Sequence, residues 1–379
     1  MSELIRPFQL AVPDEALDDL RRRLTHTRWP EKETVDDWRQ GVPLAALQDL
    51  CDYWLREYDW RHCEAKLNGF GQYVTTIDGV DIHFIHRRSP NPDALPLIMT
   101  HGWPGSVIEF HKVIGPLADP AAHGGDPADA FHVVAPSIPG YGFSGKPREA
   151  GWTMQRIAAA WAELMRRLGY RRYVAQGGDW GSAISMAMGE AAPPELVAIH
   201  LNMVTTPPGR DQRDDMDERE KALLARARYY KDQGSGYAIQ QSTRPQTLAY
   251  GLTDSPSGQA AWIYEKFLEW MDCDGDPLNV LTRDEILDNI MLYWLPGTAG
   301  SSARLYWESF RQFAASEVRT PMAASIFPKD ISPPARRWAE RRFSNIVYWN
   351  ELDRGGHFAA FEQPQLFVEE LRAALRSFR

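Results

Sequence analysis

The chain has 379 residues, 44% of them hydrophobic, enough to bury a large core and to carry an insertion or a second domain. A net charge of −9 argues against nucleic acid or an anionic membrane as the main partner. Three cysteines, Cys51, Cys63 and Cys273, cannot all pair and lack metal-ligand spacing, which suits a reducing compartment and a cytoplasmic protein.

Met1 to Pro7 holds no stretch suited to a signal peptide, and no run of about 18 apolar residues follows, so neither a leader nor a spanning helix is expected. Residues 1–70 read as helices and loops. Pro13 opens an acidic first turn, and Leu17, Leu20 and Leu24 give one apolar face. A second helix over Leu44 to Tyr58 presents Leu47, Leu50, Cys51, Trp54, Leu55 and Tyr58. The run Arg21 to Arg23 and the pairs Arg336-Arg337 and Arg341-Arg342 read as solvated helix faces, and His62 and Cys63 as packing residues.

From Gly71 the period changes. Tyr73 to Ile77 and Val80 to His86 flank Asp78-Gly79, a hairpin signal. His83 and His86 face opposite sides of such a strand and cannot share a metal. Leu95 to Thr100 suits a buried strand ending in the bent loop His101-Gly102-Trp103-Pro104-Gly105-Ser106. Phe131 to Pro136 is the next strand. A Pro-Gly loop, a helix over Met154 to Leu168 and a strand over Tyr173 to Gln176 follow.

That strand runs into Gly177-Gly178-Asp179-Trp180-Gly181-Ser182. Glycines at 177 and 181 bracket Asp179 as a nucleophile elbow requires, because the chain turns there too sharply for side chains. Asp stands where Ser is usual. A serine attacking a saturated carbon would leave an ether, whereas a carboxylate, ionised at neutral pH with a pKa near ~3.9, leaves an ester that water can cleave. An elbow Asp therefore points to displacement at an sp³ carbon, in an epoxide or an alkyl halide. The plainer alternative is that Asp179 caps the helix after it.

Leu196 to Val204 reads as a further strand. Residues 205–318 look helical and rich in Tyr, Trp and Met, and the β/α pattern resumes at Met322 to Phe327. Asp272 to Asp276 has the look of a calcium loop, but Pro277 and Arg283 stand where that loop needs Gly and Glu. A helix over Arg336 to Arg342, a strand over Asn345 to Trp349, the loop Arg354-Gly355-Gly356-His357-Phe358 and a helix from Gln365 close the chain.

The pattern predicts an α/β-hydrolase fold: a mostly parallel eight-stranded sheet with helices on both faces. Residues 1–70 form an N-terminal helical extension, 71–204 and 319–379 the core, and 205–318 a helical lid after the sixth strand. The order Asp179, acid, His357 is that of the fold. Asp330 is the favoured acid because it and His357 follow adjacent strands. Glu351 and Asp353 lie nearer in sequence, but the loop would have to double back. The N–H groups of Trp103 and Trp180 would form an oxyanion hole.

With these residues located, the sequence resembles the microsomal-type epoxide hydrolases over nearly its whole length. The motifs are Arg6-Pro7-Phe8, His101 to Ser106, Gly177 to Ser182, and Arg354-Gly355-Gly356-His357-Phe358-Ala359-Ala360. The resemblance implies Asp179 as nucleophile, His357 as base and Asp330 as its acid, a position often held by Glu in the family. It also implies two epoxide-activating tyrosines, Tyr237 and Tyr306. The membrane-bound members carry a hydrophobic N-terminal anchor, and none is expected here. The expected reaction is cofactor-free and metal-free, converting a small apolar epoxide and water to a vicinal diol, and the sequence leaves a homo-oligomer open. A haloalkane dehalogenase, which also uses an elbow Asp followed by Trp, is the alternative. Such an enzyme needs halide-binding donors and has no use for paired phenols. A non-catalytic receptor of the same fold would be expected to lack a triad member.

Overall fold

A computed structural model describes residues 4–310 and 316–379. Among these residues nine strands form one sheet: β1 (Arg6–Phe8), β2 (Gln72–Ile77), β3 (Val80–Arg87), β4 (Leu95–Thr100), β5 (Phe131–Pro136), β6 (Tyr173–Gly177), β7 (Leu196–Leu201), β8 (Met322–Ile326) and β9 (Ile346–Glu351). Their order is β1-β2-β3-β5-β4-β6-β7-β8-β9. The pairs from β1 to β5 are antiparallel, and those from β5 through β4 and β6 to β9 are parallel. This is the mostly parallel, helix-covered sheet of an α/β-hydrolase.

The β2–β3 turn places Asp78 and Gly79 at φ of 48° and 78°, the doubly positive conformation that Asp-Gly favours. Leu97, Ile98 and Met99 of β4, Val133 and Val134 of β5 and Val174 of β6 are fully buried, as continuous apolar runs covered on both faces should be. The ninth strand, β1, extends the edge that the sequence pattern left as loop. Three residues are too few to show a period-two pattern, and Pro7 fits because an edge strand can spare an N–H.

Between β7 and β8 the regular structure of the described residues is mainly helical, including Glu218–Tyr229, Gly236–Thr243, Pro256–Trp270, Arg283–Trp294 and Ala299–Ser309. The N-terminal helices Asp14–Thr25, Leu44–Arg56 and Trp60–Asn68 are fastened to this insertion by polar contacts. Buried Asp288 accepts from Tyr58 Oη at 2.8 Å and Lys66 Nζ at 2.9 Å. Arg283 reaches Asp49 at 2.6 Å, and Arg23 reaches Asp254 at 2.9 Å.

Some boundaries differ from the sequence pattern. The strand from Leu196 stops at Leu201, and the helix at Arg336 ends at Ala339. Arg337 and Arg342 are not simply solvated. Arg337 pairs with Glu220 and Asp215, and Arg342 with Glu190 at 2.8 Å. No helix among the described residues is long and apolar enough to cross a membrane.

Candidate active site

The site lies where parallel strands end. β6 sits between β4 and β7, and the chain leaves it through Gly178 into helix Asp179–Ala191. A Cβ on Gly177 would lie 2.1 Å from the Gly181 backbone, and one on Gly181 would lie 1.8 Å from the Thr100 carbonyl oxygen. Only glycine fits at either place. Asp179 itself has φ of 48°, a conformation that a non-glycine residue holds at a cost of about 1–3 kcal/mol. Its side chain does not cap the helix. The N-cap is Gly178, and Asp179 Oδ1 accepts the Trp103 N–H at 2.8 Å. Trp180 follows in the first turn of the helix.

Asp330 follows β8 and His357 follows β9, and these adjacent strand ends bring the two together. His357 Nδ1 is 2.6 Å from Asp330 Oδ1, and its Nε2 is 3.4 Å from Asp179 Oδ2. Glu351 pairs instead with Arg219, and exposed Asp353 lies 3.5 Å from Arg354. The histidine loop is fixed through its backbone. Glu362 accepts from the N–H groups of Gly356 and Phe358, Trp270 O accepts from that of His357, and Asp272 Oδ2 accepts from that of Gly355 at 2.9 Å. Asp272 thus holds the histidine loop from the turn that looked like a calcium site.

The loop carrying Trp103 is pinned as firmly. His101 Nδ1 meets Gly102 O at 2.9 Å, and His101 Nε2 lies 3.2 Å from the Ile138 N–H that it accepts. From helix Arg283–Trp294, Asn289 Nδ2 donates to Pro104 O at 2.8 Å and Tyr293 Oη to Gly105 O at 2.7 Å. The Trp103 indole stacks on the Tyr237 ring at 4.7 Å and meets the Tyr306 ring edge-on at 5.9 Å. Trp180 meets the Tyr306 ring at 4.9 Å. Tyr237 and Tyr306, 5.8 Å apart, line a cavity of about 280 Å³ with Ala183, Met203, Tyr230 and Phe310, and Asp179 forms part of its wall.

The "Epoxide hydrolase N terminus" family matches residues 5–110, and the alpha/beta hydrolase fold family matches residues 96–254. A relative from Stigmatella aurantiaca is 56% identical over 376 residues, covering 99% of this chain and 86% of its own. Epoxide hydrolase 1 of Sus scrofa is 36% identical, covering 98% and 88%. The structure of Aspergillus niger epoxide hydrolase superposes with a TM-score of 0.90 at 34% identity, covering 99% of this chain and 96% of that one.

The chain belongs to the epoxide hydrolase family.

The microsomal-type motifs of the sequence thus identify this epoxide hydrolase correctly, and the dehalogenase alternative is not favoured. Its site is strongly charged. Burial alone would lower the pKa of His357, but the carboxylates of Asp330 and Asp179 on its two nitrogens raise it to about 10. The resting ring is therefore an imidazolium. Burial, first of all, and then the neighbouring phenols and Asp179 hold Tyr237 and Tyr306 well above the usual tyrosine value, so both are neutral donors. Burial also raises Glu109 to about 8 and Glu362 to about 7.

Three residues at the site escaped the sequence reading. Glu109 borders, with Asp179 and His357, a second cavity of about 20 Å³. Its signal was an acid inside the apolar run Val107 to Phe110. Tyr230 meets Tyr237, their hydroxyls 2.8 Å apart, and nothing distinguishes it among fourteen tyrosines. Lys266 is buried on helix Pro256–Trp270, whose tryptophan and phenylalanine neighbours gave a hint of unusual surroundings for a cation.

Proposed function

We propose that this epoxide hydrolase works through a covalent ester on Asp179, with His357 as base, Asp330 as its orienting acid, and Tyr237 and Tyr306 as donors to the epoxide oxygen. The observation that carries the reading is the position of one carboxylate. Asp179 has Oδ1 on the Trp103 N–H, Oδ2 3.4 Å from His357, and the aromatic cavity in front of it. Oδ2 attacks one epoxide carbon from behind, the C–O bond breaks, and the phenols meet the charge on the departing oxygen.

The ester then reacts with water. Esterification removes the negative charge beside His357 Nε2, so the imidazolium releases its proton to solvent and becomes a base. A cavity of about 20 Å³ between Asp179, His357 and Glu109 has room for one water. Glu109, neutral at pH 7, can hydrogen-bond that water while His357 deprotonates it. Trp103 and Trp180 N–H groups hold the oxyanion, the latter aided by the helix N-terminus. His357 returns its proton to the departing alcohol, and a vicinal diol leaves.

The aromatic lining favours a small apolar epoxide. Residues 205–318 act as the lid, supplying both tyrosines and pinning the Trp103 loop, on the core of 71–204 and 319–379, with 1–70 as a brace. Three buried, unbridged thiols support a cytoplasmic location. Every group in the scheme comes from one chain, so a homo-oligomer is not needed to complete the site. The test is His357→Gln. Intact mass after mixing with an epoxide should show one added substrate mass, on the peptide bearing Asp179. An adduct elsewhere, or full turnover by Asp179→Ala, refutes the scheme.

A further inference from the structure

The two epoxide-facing tyrosines do not stand in equivalent surroundings. Helix Glu218–Tyr229 widens into a π-helical turn, Tyr230–Gly234, before the chain restarts as helix Gly236–Thr243. Such turns concentrate at functional sites. Here the turn sets Tyr230 Oη 2.8 Å from Tyr237 Oη. On the ring of Tyr237 lies Lys266 Nζ, 4.8 Å from its centroid. The Lys266 side chain is 4% exposed, and it is anchored by Glu265 at 2.7 Å and Glu269 at 3.5 Å, whose own side chains are 34% and 27% exposed. Water screens the two carboxylates more than it screens the ammonium. Tyr306 is packed by the Trp180, Trp103 and Phe310 rings instead.

We propose that Tyr230 and Lys266 are positioning residues that make Tyr237 the phenol which surrenders its proton in ring opening, leaving Tyr306 to hold the oxygen by a hydrogen bond. This rests on the ester mechanism above. A phenol has one proton and accepts on its oxygen. With the Tyr237 proton aimed at the epoxide, Tyr230 must donate to Tyr237 Oη. As the C–O bond breaks, its electron pair stays on the departing oxygen, the Tyr237 proton moves there, and Asp179 Oδ2 forms the new bond to carbon. Tyr237 becomes a phenolate. The bond from Tyr230 then turns charge-assisted, and the cation faces a ring richer in electrons than before. Both contacts are stronger in the transition state than in the resting site, the condition for acceleration. After hydrolysis, the carboxylic acid regenerated at Asp179 returns the proton to Tyr237, His357 takes back from solvent the proton it released, and the cycle closes with one water consumed.

The test isolates each phenol. In His357→Gln protein, which accumulates ester, Tyr306→Phe leaves Tyr237 as sole donor and Tyr237→Phe leaves Tyr306. The rate of adduct formation with styrene oxide is followed by intact mass. Tyr230→Phe and Lys266→Met should each slow it by about 10-fold or more when Tyr237 is the sole donor, and by less than about 2-fold when Tyr306 is. Equal slowing in both backgrounds would mean general damage to the pocket and would overturn the assignment, as would no slowing in the Tyr306→Phe background. Tyr230→Phe keeps the ring and decides the matter alone should Lys266→Met fail to fold. Absence of any adduct in His357→Gln with both tyrosines intact refutes the ester mechanism itself, and is seen before the other variants are made.

Discussion

Replacing Asp179 with Asn keeps the side chain's shape and removes the charge, as the proposed alkylation would. In the folded protein Asp179 Oδ2 lies 3.4 Å from His357 Nε2. At an effective dielectric of about 20, that distance corresponds to about 5 kcal/mol between unit charges, or about 3.6 pKa units. Subtracting this from about 10 puts His357 near ~6.5 in Asp179→Asn, close to the unperturbed histidine value. Histidine NMR titration of wild type and variant measures both numbers. The same fall should appear in single-turnover experiments on the wild type, where ester hydrolysis should rise with pH through ~6.5 and level off by about pH 8. Should His357 titrate within one unit of wild type in Asp179→Asn, the nucleophile's charge is not what holds the base protonated, and the switch is refuted.

Stability should show the same ion pair from another side. The folded-state value of about 10 for His357 exceeds the ~6.5 of an unfolded histidine, so its contribution is complete below pH ~6.5 and is lost as pH rises through about 10. The unfolding temperature of wild type should therefore fall over that window more steeply than that of Asp179→Asn. Asp330→Asn should leave ester formation largely intact and slow ester hydrolysis by about 10²- to 10⁴-fold, whereas Asp353→Asn should change it less than about twofold; quenched-flow mass analysis separates the steps. Gly102→Ala would place a Cβ 2.2 Å from Asp179 Oδ1, and its kcat/KM should drop by about 10²-fold or more as the nucleophile is displaced; a wild-type value refutes that crowding.

Much of the fold was written in short-range patterns. The elbow could be read because two glycines and one acid at fixed spacing allow few other uses, and buried strands such as Leu95–Thr100 announce themselves as apolar runs. Asp330 could be argued from strand adjacency, and its 2.6 Å contact with His357 matches the geometry that argument required. Contacts formed only by the insertion's tertiary packing could not be read. Lys266 and Tyr237 are twenty-nine residues apart, and the Asn289 bond to Pro104 spans 185 residues. Strand β1 was illegible for a different reason: its three residues gain a strand's hydrogen bonds only because β2 offers an edge.

Under the proposed ester mechanism, the Trp103 N–H on Asp179 Oδ1 makes the two oxygens of one carboxylate unequal in their lifetimes. Oδ1 stays in the hole as carbonyl, oxyanion and carbonyl again. Oδ2 would become the bridging oxygen of the ester and depart inside the diol when the acyl bond breaks, and a water oxygen would take its place. Each such cycle would therefore export one of the enzyme's own atoms and import a replacement from solvent. In heavy-oxygen water the first diol should carry no label from solvent and every later one a single labelled oxygen, while the peptide bearing Asp179 settles at one heavy oxygen and never two.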